Sequence, residues 1–221
     1  MRVTNTTILR ATGLLTLMLV STLLGGIVGC SGEPDPTNAT DSYEMFRDGL
    51  FAGDAEAMWE RTDEATRNYF EDRYERLVEM DELIERYLPQ TDHALARTQS
   101  GTELLEEVDS GRQLFIEMIE PGEFSDDAAV RLGSGIRELQ MAEDGTSAVA
   151  VTRGGQEFVL VQADDDHWYI NLVESGDFVD ETFAWLIENE DALEQTVENL
   201  MEEERQVREQ IIADLMDPDE E

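Results

Sequence analysis

An α+β fold is predicted for this chain: N-terminal helices packed on a curved antiparallel meander of three to four strands, followed by a long C-terminal helix. Three observations predict it. Between Ile136 and Val173, short β-branched and aromatic runs alternate with turn signals. Before that stretch, apolar residues recur at three- and four-residue steps, the period of an amphipathic helix. After it, from Phe178 to Met216, the helical period returns in a long acidic segment.

The meander is built from hairpins. Asp144-Gly145 separates the first strand from Ser147–Thr152, and Gly154-Gly155 separates that from Glu157–Gln162. Asp-Gly and Gly-Gly supply the positive φ angles that two-residue hairpin turns demand. Asp164-Asp-Asp166 then leads into a last strand, His167–Val173.

The helices have their own punctuation. Asp41-Ser-Tyr-Glu44 has the spacing of a capping box and predicts a helix to Ala52, ended by Gly53. Asp54 caps a short helix through Met58-Trp59, and Asp63 opens a long one that runs to about Leu88 and stops at Pro89. In the long helix Phe70, Tyr74, Leu77, Met80, Ile84 and Tyr87 form one stripe. Thr91 to Gln99 reads ambiguously. Thr102 to Ile119 reads as helix, in one piece or two around Gly111, closed by Pro121-Gly122; Ser125 to Gly135 is a connector. Phe178 to Met216 is one long acidic helix or a broken pair, followed by a frayed acidic tail.

Charge excludes several roles. The 221 residues hold 52 Asp and Glu against 15 Arg and no Lys, for a net charge of −37. A chain so negative repels phosphate backbones, so no nucleic-acid partner is expected. The folded part would also be repelled by anionic headgroups. Cations, basic proteins and high-salt media suit it better.

The first 29 residues differ from the rest. They carry Arg2 and Arg10, no acid, and a continuous apolar and small run from Ala11 to Leu24. That length and pattern predict a secretory signal. Ile27-Val28-Gly29-Cys30 at its end resembles a bacterial lipobox, with Ile and Val in place of the usual Leu and small residue. The resemblance implies cleavage between Gly29 and Cys30 and acylation of the Cys30 thiol, so that membrane lipid is the first expected partner. Cys30 is the only cysteine, so no disulfide framework competes for it. Residues 30–40, with Gly32, Pro34 and Pro36, read as a flexible tether. The expected organisation is residues 1–29 signal peptide, 30–40 tether, 41–176 an α+β domain, and 177–221 an acidic helical extension. The expected location is the bacterial cell envelope. Ser31 after the cysteine favours the outer membrane if the source is Gram-negative.

The order of parts carries a further resemblance. Leu50-Phe-Ala-Gly-Asp-Ala-Glu-Ala-Met-Trp59, then a helix, then a meander with Gly154-Gly155 and the strand His167-Trp-Tyr-Ile170, resembles the nuclear transport factor 2-like superfamily. The resemblance spans about residues 41–175. It implies a curved sheet wrapping a long helix as a cone. It leaves function open, because that fold hosts enzymes, ligand binders and scaffolds.

Chemistry-bearing motifs are few. The two histidines, His93 and His167, stand apart from any second ligand, so no metal site and no cofactor is expected. Asp164-Asp-Asp166 lacks the spacing of a calcium loop and reads as a solvated turn. No Lys exists for a phosphate-binding loop, and no Gly-x-Ser-x-Gly elbow occurs. If the sheet encloses a pocket, His167, Trp168 and Tyr169 are the residues expected to reach it. The leading expectation is a non-enzymatic, lipid-anchored binding or scaffold domain. One alternative is a cone-pocket hydrolase or isomerase using a His–Asp pair. Another is recruitment of a protein partner through the acidic C-terminal helix.

Overall fold

A computed structural model describes residues 33–118, 128–176 and 178–216. The signal segment, Gly29 and Cys30, the Pro121-Gly122 stop and the tail after Met216 lie outside the described residues. Residues from Glu33 onward form one compact unit.

The fold is α+β, as the sequence predicts. Helices α1 (Ala39–Ala52), α2 (Ala55–Trp59), α3 (Glu64–Tyr87), α4 (His93–Ser100), α5 (Gly111–Met118) and α6 (Ala128–Gly133) come first. Strands β1 (Ile136–Met141), β2 (Ser147–Thr152), β3 (Glu157–Gln162) and β4 (Trp168–Asn171) follow, and α7 (Phe178–Met216) ends the fold. The strands form one antiparallel sheet in the order β1-β2-β3-β4. Gly145 (φ 74°) and Gly155 (φ 89°) take positive φ in the first two turns, which are longer than the two-residue turns expected: Ala142 donates its N–H to Ser147 O and Thr152 donates to Gln156 O, so the loops hold residues 143–146 and 153–155. In the third, Asp166 takes φ 64°, a conformation Asp reaches more readily than most residues.

Asp54 and Asp63 cap α2 and α3 through their carboxylates, as expected. The start of α1 is corrected. The helix begins at Ala39, with Asn38 as its cap, not at Asp41; the Asn38 side chain accepts from the backbone N–H of Thr40 and Asp41. Asp41 sits in the first turn instead, where its carboxylate accepts from the Asp35 backbone. The end of the expected tether is thereby held, and Ala39 is buried. The 102–119 region is two pieces, a 3-10 turn over Thr102–Glu106 and then α5. The connector before the sheet contains α6.

The core lies between the helices and one face of the sheet. Phe70, Leu77, Met80 and Ile84 of α3 are buried, and Phe70 meets Trp59, Phe115 and Phe183 ring to ring at centroid distances of 5.0 to 6.3 Å. Ala148 and Ala150 of β2, Leu160 of β3 and Ile170 of β4 form the facing surface. On β2 the small Ala148 and Ala150 face the helices and the branched Val149 and Val151 take the other face, which lets the helical layer approach closely.

The outer edge of β4 is capped. Trp168 donates its N–H to Pro36 O (2.8 Å), and Ile170 donates to Arg61 O (2.7 Å) and accepts from Asp63 N (3.0 Å). Thr62 and Ile170 form an isolated parallel bridge. Leu172 donates to Thr66 Oγ1 at 2.9 Å. Three separate segments thus satisfy the edge groups of one strand.

Helix α7 changes character along its length. Phe183, Leu186, Leu193 and Val197 are buried, whereas every described side chain from Met201 to Met216 is exposed. Among the described residues no helix is long and apolar enough to cross a membrane.

Candidate functional site

A cavity of about 510 Å³ opens between α1, α6 and the β2–β3 hairpin, on the helix-facing side of the sheet. Helix α1 supplies Tyr43, Phe46, Arg47, Leu50 and Phe51, a one-sided set at helical spacing. Opposite them are Phe158 of β3, Leu172 after β4 and Val130 of α6, with Gly154 and Gln156 from the hairpin turn. The Phe158 ring stands 5.2 Å from that of Tyr43. The middle of the same sheet face is filled by Leu160, Trp168 and Ile170, so the cavity occupies one end of it. Its volume falls in the range of small-molecule sites.

The polar groups at this cavity are few. Tyr43 donates its hydroxyl to Ser134 O at 2.7 Å. Burial pushes its phenol up to about 12, with Arg47 pulling in the opposite direction. Arg47 is mostly buried and pairs with the exposed carboxylate of Asp48, its chain neighbour, at 2.9 Å. The Arg131 guanidinium lies 4.8 Å from the centre of the Phe51 ring. Among the described residues no Asp or Glu lines the cavity.

The expected pocket residues are divided between two faces. Trp168 points into the core and is 4% exposed. His167 and Tyr169 lie on the opposite side of the strand, with their rings 6.4 Å apart. His167 Nδ1 is 3.2 Å from Asp165 Oδ2, and the imidazole is more than one-third exposed. Tyr169 donates its hydroxyl to Asp165 at 2.9 Å. The backbone N–H of His167, and then the Tyr169 hydroxyl, hold the Asp165 carboxyl below its ordinary range. Burial, then the Asp165 carboxylate, raises the Tyr169 phenol. The Asp164-Asp-Asp166 stretch thus builds a turn that orders its own neighbours. A His–Asp pair does exist, but it does not face the apolar cavity.

Tyr169 instead lines a second, shallower cavity of about 320 Å³, with Thr62, Asp63, Glu64 and Arg67. There the Arg67 guanidinium sits 5.7 Å from the centre of the Trp59 ring and 6.0 Å from that of Tyr169. Near α4, His93 Nε2 makes a 3.0 Å contact with Leu88 O, which ties the ring to the end of α3. Among the described residues no three His, Cys, Asp or Glu side chains gather for a metal ion.

Sequence reasoning did not find the apolar cavity. The α1 stripe reads as an ordinary core face, and the segments that complete the wall are remote in the chain. The one available signal was Arg47 set among Tyr43, Phe46, Leu50 and Phe51 on a face otherwise apolar. Comparison with protein families, with curated proteins and with solved structures found no match to this chain.

Proposed function

We propose that this chain is a lipid-anchored cell-envelope protein, held through acylated Cys30, whose domain works by binding a small apolar molecule and not by turnover. The observation that carries the binding reading is the apolar cavity of about 510 Å³ beside α1. The anchor rests on the signal-like first 29 residues and the lipobox-like Ile27–Cys30. Assignment to a nuclear transport factor 2-like fold belongs to the same proposal, and helices followed by a four-stranded meander support it. The hydrolase or isomerase alternative draws no support from the geometry, since the His167–Asp165 pair lies at the surface.

The test uses the full chain in phosphatidylcholine nanodiscs and decanol as the probe, with native mass spectrometry counting bound molecules. One decanol per chain is expected, lost on filling the cavity with Leu50→Trp. Absence of saturable binding would overturn the reading. The anchor is tested separately: Cys30→Ser should release the protein from the membrane fraction.

Partner recruitment through the C-terminal helix is a second reading. It is favoured by Val207, Ile211 and Ile212, each more than half exposed on the last turns of α7.

A further inference from the structure

The described arginines differ in their partners. Arg76, Arg86, Arg97, Arg112, Arg205 and Arg208 each pair with carboxylates from other turns or other elements. Such pairing is the expected outcome where acids outnumber bases 52 to 15. Arg67 and Arg73 lie against the Trp59 and Tyr69 rings, and among the described residues neither they nor Arg61 and Arg137 form an ion pair; the arginines around the apolar cavity are likewise weakly partnered. Among the described residues Arg47 pairs only with the carboxylate of Asp48, its chain neighbour, which is 71% exposed and strongly solvated. Arg131 lies on the Phe51 ring, and its hydrogen bond goes to a backbone oxygen, Phe51 O, at 3.5 Å. Arg153 packs against Gly135, beside the cavity-lining Ser134. Among the described residues, neither Arg131 nor Arg153 pairs with a carboxylate.

An apolar mouth flanked by guanidinium groups, with no acid among the described residues of its lining, selects a particular ligand shape. The body must be apolar, because Phe46, Leu50 and Phe158 offer it no hydrogen bonds. The head must be an acceptor able to use guanidinium donors, and a planar carboxylate matches them best. The chain's overall field opposes anions, so a carboxylate gains from this rim only what a local, partly desolvated contact supplies. We propose that the cavity binds a monocarboxylate amphiphile of acyl-chain type, its chain against Phe46, Leu50 and Phe158 and its carboxylate at Arg47 and Arg131. The inference rests on the binding reading above and adds the identity of the head group.

The experiment compares decanoate with decanol on the full chain in phosphatidylcholine nanodiscs, again by native mass spectrometry. The two probes share a chain and differ in the head. Decanoate is expected to bind about tenfold tighter or more, the range of a hydrogen bond to a charged group. The double variant Arg47→Met/Arg131→Met should lose that preference and keep its affinity for decanol, which also shows that it is folded. Equal binding of the two probes would overturn the head-group inference and leave the apolar cavity standing. A preference that survives in the double variant would overturn the role of these arginines. Failure of both probes would overturn the inference together with the reading beneath it.

Discussion

Thr66 Oγ1 accepts a hydrogen bond from the backbone N–H of Leu172 at 2.9 Å, joining the first turn of α3 to the end of β4 across 106 residues of chain. Both residues are buried. Replacing Thr66 with Val keeps the side-chain shape and removes the acceptor, leaving a buried N–H without a partner. The expected loss is about 1–3 kcal/mol. Urea denaturation should show a lower midpoint with an unchanged slope, since the surface exposed on unfolding does not alter.

Gly101 ends α4 at φ 84°, and a Cβ there would run into the Trp185 ring. Gly101→Ala therefore meets two penalties, backbone strain and overlap with the α7 aromatic. A destabilisation of about 3 kcal/mol or more is expected. Trp185→Ala removes the overlap but not the strain. In the double variant the loss should fall short of the sum of the single losses, and a thermodynamic cycle measures the shortfall.

Tyr43 sets an alkaline limit. Its phenol is raised from 10.0 to about 12 in the folded state. The folded protein keeps this proton where the unfolded chain has released it, so stability is fully present below about pH 10 and falls between pH 10 and 12. The loss over that window is about 2–3 kcal/mol. Tyr43→Phe should flatten this part of the stability profile, and the late step of tyrosinate absorbance should disappear with it.

Deleting residues 202–221 should leave the melting midpoint within about 2 °C of the parent, because the described side chains removed are all exposed. Ending the chain before Leu193 should not be tolerated in the same way. That cut takes away Leu193 and Val197, both buried against the domain. Calorimetry of the two truncations separates the packed part of α7 from the projecting part, which extends about 24 Å at the helical rise.

The parts of the fold that local chemistry dictates were legible in the sequence. Gly145 and Gly155 adopt positive φ, though in loops longer than the two-residue turns expected, Asp54 and Asp63 cap the helices they precede, and four of the six residues in the α3 stripe are buried. What escaped depends on contacts between distant segments. Asn38 won the cap of α1 from Asp41 because the chain before it is held at the edge of β4 through Pro36 O. Gly111 reads as an interruption; in the fold it donates its N–H to Glu71 Oε2 at 2.9 Å and sits where a Cβ would strike the backbone of α3. For the expected site residues, strand alternation alone places His167 and Tyr169 on the face opposite Trp168. On β2 the helix-covered face carries Ala148 and Ala150, two small residues with weak hydropathic signal.

The capped margin of β4 makes the sheet one-sided as a building block. Pro36, Arg61 and Thr66 occupy the positions on β4 that an added strand would need, so among the described residues the margin left for a further strand is that of β1. Two copies that met edge to edge would each consume their single open margin. Such pairing ends at a closed twofold dimer and cannot propagate into a fibre.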